Sequence, residues 1–116
     1  MQALVIEGMH PLRGSVPVHG SKNGALPLLA AALLAPGRTV LHHCPRLTDV
    51  QTTMEILRHL GAGCGWEGGT LWVDASAVTG TAIPEELMRR QRASVLFLGA
   101  LLARCGEATL STPGGC

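Results

Sequence analysis

The sequence predicts an α/β fold, because short segments rich in β-branched residues alternate with longer apolar segments that show helical spacing. The composition agrees, since 47% of the residues are hydrophobic, only 3% are aromatic and 15 are glycines. An internal repeat supports the same fold: Ala32–Ala35 and the strand Thr39–Leu41 are echoed by Ala100–Ala103 and Ala108–Leu110. The second copy stops where its next helix should begin, so we expect a chain that is cut within its second unit. The alternative is a chance likeness between two helices rich in alanine and leucine.

The first part of the chain predicts two short strands, a helix and a further strand. These elements are, in order, Met1–Ile6, Ser15–His19, Ala25–Ala35 and Arg38–His42. Pro17 places the second strand at a sheet edge. The helix is apolar on nearly every face, which predicts that it is buried. Because Pro27 is tolerated only in a first helical turn, the helix should begin near Lys22–Gly24.

The rest of the chain predicts a helix, a hairpin, a helix that continues or kinks into another, and a strand. These elements are Thr48–Leu60, Cys64–Glu67 with Thr70–Asp74, Pro84–Gln91 with Ala93–Ala103, and Glu107–Ser111. Thr48 and Gln51 have the spacing of a capping box at the start of the first of these helices. Gly68 and Gly69 supply the hairpin turn.

The charge and the cysteines exclude several classes of function. A net charge of +1 gives no basic surface for nucleic acid or an anionic membrane. The four cysteines are Cys44, Cys64, Cys105 and Cys116. Their spacing fits no zinc site, so neither a metal nor a cofactor is predicted. The apolar runs Ala25–Ala35 and Ala93–Ala103 are too short to span a bilayer, and we expect a cytoplasmic protein with reduced thiols.

Gly20–Gly24 is the first segment that could bind a ligand, since it lies between a predicted strand and a predicted buried helix. The positive end of the helix dipole favours an anion there, and Lys22 adds a full positive charge. The spacing is not that of a P-loop. The alternative is that Ser21 or Asn23 caps the helix and that Lys22 is solvated.

Two further segments carry candidate chemistry. Arg92 follows two other arginines at the start of an apolar helix and could bind a phosphate in bidentate fashion. The alternative is a solvated cationic face. Pro113–Cys116 places a thiol on a glycine-rich turn, where it could donate a proton or act as a nucleophile. The alternative is a cysteine in a frayed tail.

Taken together, these segments resemble the UDP-N-acetylglucosamine 1-carboxyvinyltransferase family over essentially the whole chain. The matching motifs, in the order and spacing of that family, are Leu12–Gly14, Gly20–Pro27, Pro45–Val50, Leu60–Ala62, Arg92–Ser94 and Pro113–Cys116. The sister family that acts on shikimate 3-phosphate shares the fold, but it carries serine at the position of Asn23 and lacks the cysteine loop. The resemblance covers only the beginning of the family's chain.

The resemblance implies a partial, inside-out α/β domain of the enolpyruvyl transferase type, built from βαβαββ units and truncated within the second unit. Residues 1–19 would then be a strand segment of the second domain, and residues 20–116 would form the incomplete first domain. The implied reaction transfers the enolpyruvyl group of phosphoenolpyruvate to the 3-hydroxyl of UDP-N-acetylglucosamine and releases phosphate, as the first committed step of peptidoglycan synthesis.

The resemblance also implies a role for each matching residue. Lys22 would bind phosphoenolpyruvate, Asn23 would lie at the sugar and the reacting centre, and Arg92 would bind the UDP-sugar. Cys116 would protonate the methylene carbon, and in a complete enzyme it would be alkylated by fosfomycin. The partners implied are the two substrates and the missing remainder of the enzyme, without which this chain would be inactive. The alternative function is a partial domain without catalysis, which binds phosphate or nucleotide weakly or pairs with a complementary chain.

Overall fold

The computed structural model describes residues 2–18 and 20–112, with the backbone alone described for Ala93, and it confirms the α/β fold class. Four α-helices, two 3₁₀ segments and three strands alternate along these residues. In chain order they are α1 (Lys22–Ala31), a first 3₁₀ segment (Ala32–Leu34), β1 (Arg38–Leu41), α2 (Thr48–His59), β2 (Gly63–Glu67), β3 (Thr70–Asp74), α3 (Glu85–Arg90), a second 3₁₀ segment (Arg92–Leu96) and α4 (Phe97–Cys105). The predicted hairpin and the predicted helix after residue 47 are both present.

The three strands form one antiparallel sheet in the order β1-β3-β2. Side chains alternate across the central strand, so Leu71 and Val73 are fully buried while Trp72 lies on the opposite face. Helix α2 packs against the buried face through an apolar stripe at helical spacing. The predicted members of that stripe, Val50, Met54, Leu57 and Leu60, are all at most 1% exposed. The core therefore lies between the helices and one face of the sheet.

The two tryptophans of the hairpin each stack against an arginine, Trp66 on the face of the buried Leu71 and Trp72 on the outer face. The Arg46 guanidinium lies 4.4 Å from the centre of the Trp66 ring, and the Arg38 guanidinium lies 4.6 Å from that of Trp72. The Trp72 indole also covers Gly65, whose replacement by alanine would place a Cβ atom 3.0 Å from that ring. Both tryptophans therefore pack on the hairpin that carries them.

Helix α1 begins at Lys22, as predicted, but it is less buried and shorter than predicted. The Ser21 Oγ atom accepts a hydrogen bond of 3.2 Å from the Gly24 N–H and caps the helix. Pro27 lies in the second turn rather than the first and has no N–H to donate to the carbonyl four residues before it. Leu28 and Leu34 are 57% and 53% exposed, because each borders an open groove, so the prediction of burial on nearly every face was wrong.

Three other predicted features differ from the structure. No capping box forms at α2, because Leu47 occupies the N-cap position and makes no side-chain cap hydrogen bond. The predicted strand Glu107–Ser111 is reduced to a single parallel bridge between Ala82 and Thr109, since only the Thr109 N–H and C=O groups find partners on that neighbouring segment. Residues 2–18 form no strand and are exposed throughout, because no strand of the described chain lies beside them.

The two copies of the internal repeat pack against each other. Helix α1 contacts the second 3₁₀ segment, and α4 contacts the first. Arg104 on α4 fastens this contact, because its guanidinium donates one hydrogen bond of 2.8 Å to the Leu33 carbonyl and another of 2.8 Å to the Ala75 carbonyl. Helix α3 ends at Gln91, whose extended backbone (φ −158°, ψ 147°) produces the predicted kink. This break lets Arg92 begin a new helical segment beside α1.

Candidate functional site

The N-terminus of α1 is the centre of the candidate site. A close backbone approach fixes the loop before it, since the Gly20 N–H donates a 3.2 Å hydrogen bond to the His43 carbonyl. A Cβ atom on residue 20 would lie only 2.3 Å from that carbonyl oxygen, so only glycine fits. The loop consequently delivers Ser21 to the cap position and Lys22 to the first helical position.

Lys22 is not simply solvated, because its Nζ atom lies 2.9 Å from the Asp49 Oδ2 atom. Asp49 stands in the first turn of α2, which packs against α1. The lysine side chain is 43% exposed and the aspartate side chain 31% exposed, so a ligand can reach both charged groups. The sequence pattern did not assign Asp49 a role, although it lies inside the matching motif Pro45–Val50.

Two grooves border the Gly20 loop. The first, of about 380 Å³, runs from Gly20–Gly24 to the segment 40–45 at the end of β1. The second, of about 390 Å³, is lined by Gly20, residues 44–47 and Gly69. Both are open to solvent on the side of the sheet where α1 begins. A small anionic ligand at the α1 N-terminus would therefore have space on either side of the loop.

Asn23 and Arg92 are exposed, as a binding role requires. Asn23 is the second residue of α1, and Arg92 is the first residue of the second 3₁₀ segment, which packs against α1. Arg92 is positioned from the interior by its neighbour Gln91, which is 5% exposed and donates a hydrogen bond of 2.7 Å from Nε2 to the Thr53 Oγ1 atom of α2. The nearby Arg90 forms an ion pair with Glu55, whose carboxylate lies 2.6 Å from the Arg90 Nη1 atom. The structure thus joins the segments that carry Lys22, Asn23 and Arg92, while Cys116 lies outside the described residues.

Two of the described thiols, those of Cys44 and Cys64, are poor nucleophiles because they are buried. Burial raises the pKa of Cys44, and burial also raises the pKa of Cys64 against the opposing charge of Arg58. Both residues are 8% exposed and so pack as small apolar side chains. Cys105 is only partly buried.

Two other kinds of feature are absent from the described part of the chain. No group of three His, Cys, Asp or Glu side chains in residues 2–18 and 20–112 is arranged to hold a metal ion. Within those same residues, no helix has the length and apolar character needed to cross a membrane.

Comparison with known proteins gives one consistent result. The sequence profile of the EPSP synthase family (3-phosphoshikimate 1-carboxyvinyltransferase) matches residues 6–116. A curated relative, the UDP-N-acetylglucosamine 1-carboxyvinyltransferase of Methylacidiphilum infernorum, is 47% identical over 116 residues, which make up 100% of this chain and 27% of the relative. The protein of the same name from Thermus thermophilus is 47% identical over 115 residues, or 99% of this chain and 27% of the relative.

A solved structure agrees with the sequence relatives. The crystal structure of the enolpyruvyl transferase NikO from Streptomyces tendae superimposes with a TM-score of 0.74 at 33% identity, covering 82% of this chain and 22% of that chain. The chain spans roughly a quarter of the length of the curated relatives, 27% for the two named here. The predicted resemblance and fold class are confirmed, and the chain belongs to the EPSP synthase (3-phosphoshikimate 1-carboxyvinyltransferase) family of enolpyruvyl transferases.

Proposed function

We propose that this chain is the N-terminal part of a UDP-N-acetylglucosamine 1-carboxyvinyltransferase. In the complete enzyme it would help transfer the enolpyruvyl group of phosphoenolpyruvate to the 3-hydroxyl of UDP-N-acetylglucosamine, with release of phosphate, in the cytoplasmic synthesis of peptidoglycan. The names of the 47% identical relatives support this substrate pair. The single observation that carries the proposal is Lys22, an accessible ammonium on the first residue of α1.

The geometry at Lys22 suits a phosphate that leaves during the reaction. The positive end of the α1 dipole and the ammonium both favour anionic oxygens, and their attraction strengthens as negative charge develops on the departing phosphate. Asn23, next along the helix, would contact the sugar or the reacting centre. Arg92, on the segment packed against α1, would bind the anionic nucleotide.

Cys116 completes the proposal as the group that protonates the methylene carbon. Protonation leaves a positively charged centre, which the sugar hydroxyl attacks before phosphate is eliminated. Addition followed by elimination balances the protons, because the hydrogen gained at the methylene is lost again when the enol ether forms, and the proton of the sugar hydroxyl leaves with the phosphate. Residues 20–116 would belong to the first domain and residues 1–19 to the second, which accords with the unpaired, exposed backbone of residues 2–18.

A chimeric enzyme tests the proposal. This chain would replace the matching 115 residues of the Thermus thermophilus relative, and phosphate release would be followed with both substrates present. We expect release that needs both substrates, and we expect Lys22→Ala to lower it about 100-fold, the order expected for one lost charged contact to a developing anion. Arg38→Ala is the matched control, because this cation lies on the outer face of the sheet, and its effect should stay within about two-fold. A folded chimera without phosphate release would contradict the proposal.

Fosfomycin gives a separate test of Cys116 in the same chimera. The epoxide should add one inhibitor mass to the peptide that contains Cys116, since a thiolate is the nucleophile for such an opening. Cys116→Ser should abolish the mass gain. A folded, active chimera that gains no mass at this position would refute the role proposed for the thiol.

A partial domain without catalysis is the second candidate function. The observation in its favour is that the chain spans only 27% of its relatives, while the α1 N-terminus and Lys22 are already assembled. This chain by itself should then bind phosphoenolpyruvate weakly and release no phosphate above a Cys116→Ser control. Phosphate release by the isolated chain would overturn that expectation.

A further inference from the structure

The Lys22–Asp49 ion pair lies where two helices begin. Lys22 is the first residue of α1 and Asp49 the second residue of α2, and the two helices pack together. Two positive helix ends and one ammonium therefore lie beside a single carboxylate, and all three attract its negative charge. An exposed lysine without such a partner would sample many side-chain conformations. The Asp49 carboxylate, 2.9 Å away, selects the side-chain conformation of Lys22 that keeps the ammonium beside the start of α1.

A chain of hydrogen bonds leads from the backbone carbonyl of Asp49 to Gln91, the residue before Arg92. The Thr53 hydroxyl donates to the Asp49 carbonyl at 2.8 Å, and it accepts from the Gln91 Nε2 atom at 2.7 Å. Thr53 is 1% exposed, so this hydroxyl works in a low-dielectric interior where a lost partner is costly. The Ser94 hydroxyl, fully buried, donates in turn to the Gln91 carbonyl at 2.8 Å. Gln91 and Ser94 bracket Arg92 in sequence, so the chain fixes both sides of the arginine relative to α2.

We propose that Asp49 is a positioning residue for Lys22, and that the Asp49–Thr53–Gln91 chain sets the lysine and Arg92 in register with each other. In the absence of a ligand, Asp49 forms an ion pair with the Lys22 ammonium, and a phosphate that binds replaces part of that ion pair. The carboxylate thus orients the lysine and also competes with the anion. The part of this inference that concerns phosphate rests on the proposed function, whereas the orientation of Lys22 by Asp49 does not.

The sequence offers a clean probe, because Lys22 is its only lysine. Chain labelled with ¹⁵N-lysine gives a single side-chain ammonium signal by NMR. In the wild type the paired ammonium should exchange protons slowly with water and give a sharp signal. Asp49→Asn keeps the shape of the side chain but removes the charge, so the signal should weaken several-fold and shift. Asp74→Asn is the matched control, because Asp74 lies at the end of β3 and accepts a hydrogen bond from the Ser76 N–H instead.

Two further variants keep the test decisive. Asp49→Glu retains a carboxylate and should restore most of the ammonium signal, which a purely structural defect would not permit. In chain labelled with ¹⁵N-arginine, Thr53→Val should disturb the Arg92 side-chain signals, while Thr53→Ser, which keeps the hydroxyl, should leave them unchanged. An ammonium signal that is the same in Asp49→Asn as in the wild type would overturn the inference, as would an equal change in Asp74→Asn.

Titration with inorganic phosphate separates this inference from the proposed function. If Asp49 competes for the ammonium, Asp49→Asn should bind phosphate about two- to five-fold more tightly, the range expected for an exposed ion pair. Equal affinity in the two chains would refute the exchange of carboxylate for phosphate. If phosphate moves no Lys22 signal in any chain while Asp49→Asn still changes that signal, the positioning role stands and the proposed phosphate site falls.

Discussion

Replacing Arg104 by methionine should destabilise the chain substantially, because this one side chain joins the two copies of the repeat. Its guanidinium donates to the carbonyls of Leu33 and Ala75 at 2.8 Å each, and both of those residues are fully buried. Methionine keeps the aliphatic stem but leaves two carbonyl oxygens without partners. A hydrogen bond to a charged group contributes about 1.5–3 kcal/mol, so two of them in a partly buried setting predict a loss of about 3 kcal/mol.

Urea denaturation followed by far-ultraviolet circular dichroism measures this loss. With a denaturant slope of about 1–3 kcal/mol per molar urea, the midpoint should fall by about 1–3 M. Arg89→Met is the control, since its partner Glu85 is exposed and an exposed pair one helical turn apart contributes only about 0.3–0.5 kcal/mol. Equal midpoints for the two variants would refute the view that Arg104 fastens the repeats.

Three further outcomes follow from the structure. Gly20→Ala should destabilise the chain by about 2–3 kcal/mol and perturb the Lys22 ammonium, because its Cβ would overlap the His43 carbonyl, and an unchanged thermal midpoint would contradict this. Hydrogen bonding to Ser76 lowers the pKa of Asp74, so its contribution to stability is present above the ordinary aspartate pKa and is lost as the pH falls through the lower, folded value. Asp74→Ala should therefore flatten the acid limb of a stability profile, and an identical limb in both chains would exclude this contribution. Cys64, whose pKa burial raises, should resist maleimide at pH 7 until urea unfolds the chain, and rapid native labelling, located by mass spectrometry, would show that the thiol is accessible.

The elements governed by local chemistry could be predicted from the sequence. The start of α1 was predicted from Pro27, and the helix does begin at Lys22, with Ser21 as the cap, one of the two caps that the sequence allowed. The stripe of α2 followed from helical spacing, and the hairpin from its paired glycines. In each of these elements the decisive interactions join residues that are close in sequence, so the sequence pattern was sufficient to predict them.

Features that depend on distant partners could not be predicted in this way. The strands expected in residues 1–19 need a neighbouring strand to pair with, and none of the described chain supplies it. Thr48 was a plausible cap by spacing, yet the helix begins at that residue and leaves Leu47 at the cap. Asp49 entered the candidate site only through the packing of α1 against α2, which brings together residues far apart in sequence.

The residues of the candidate site were predicted from the sequence, but the hydrogen bonds that link their segments were not. Lys22 and Arg92 were identified from a family resemblance, but nothing in their sequence neighbourhoods indicated that buried groups join them. Thr53 and Gln91 are polar residues in apolar surroundings, and the role of such residues can be inferred only when their hydrogen-bond partners are known.

The stacked tryptophans of the hairpin have a practical consequence for measurements of intrinsic fluorescence. Both of the chain's tryptophans are on that hairpin, each beneath an arginine, and the chain contains no tyrosine. Intrinsic emission therefore reports the sheet alone, and detachment of α4 would pass almost unseen in the fluorescence. A protein whose emission looks native could already have lost the contact between its two repeats. Conversely, an emission change without a change in helical dichroism would locate the first loss of structure in the hairpin.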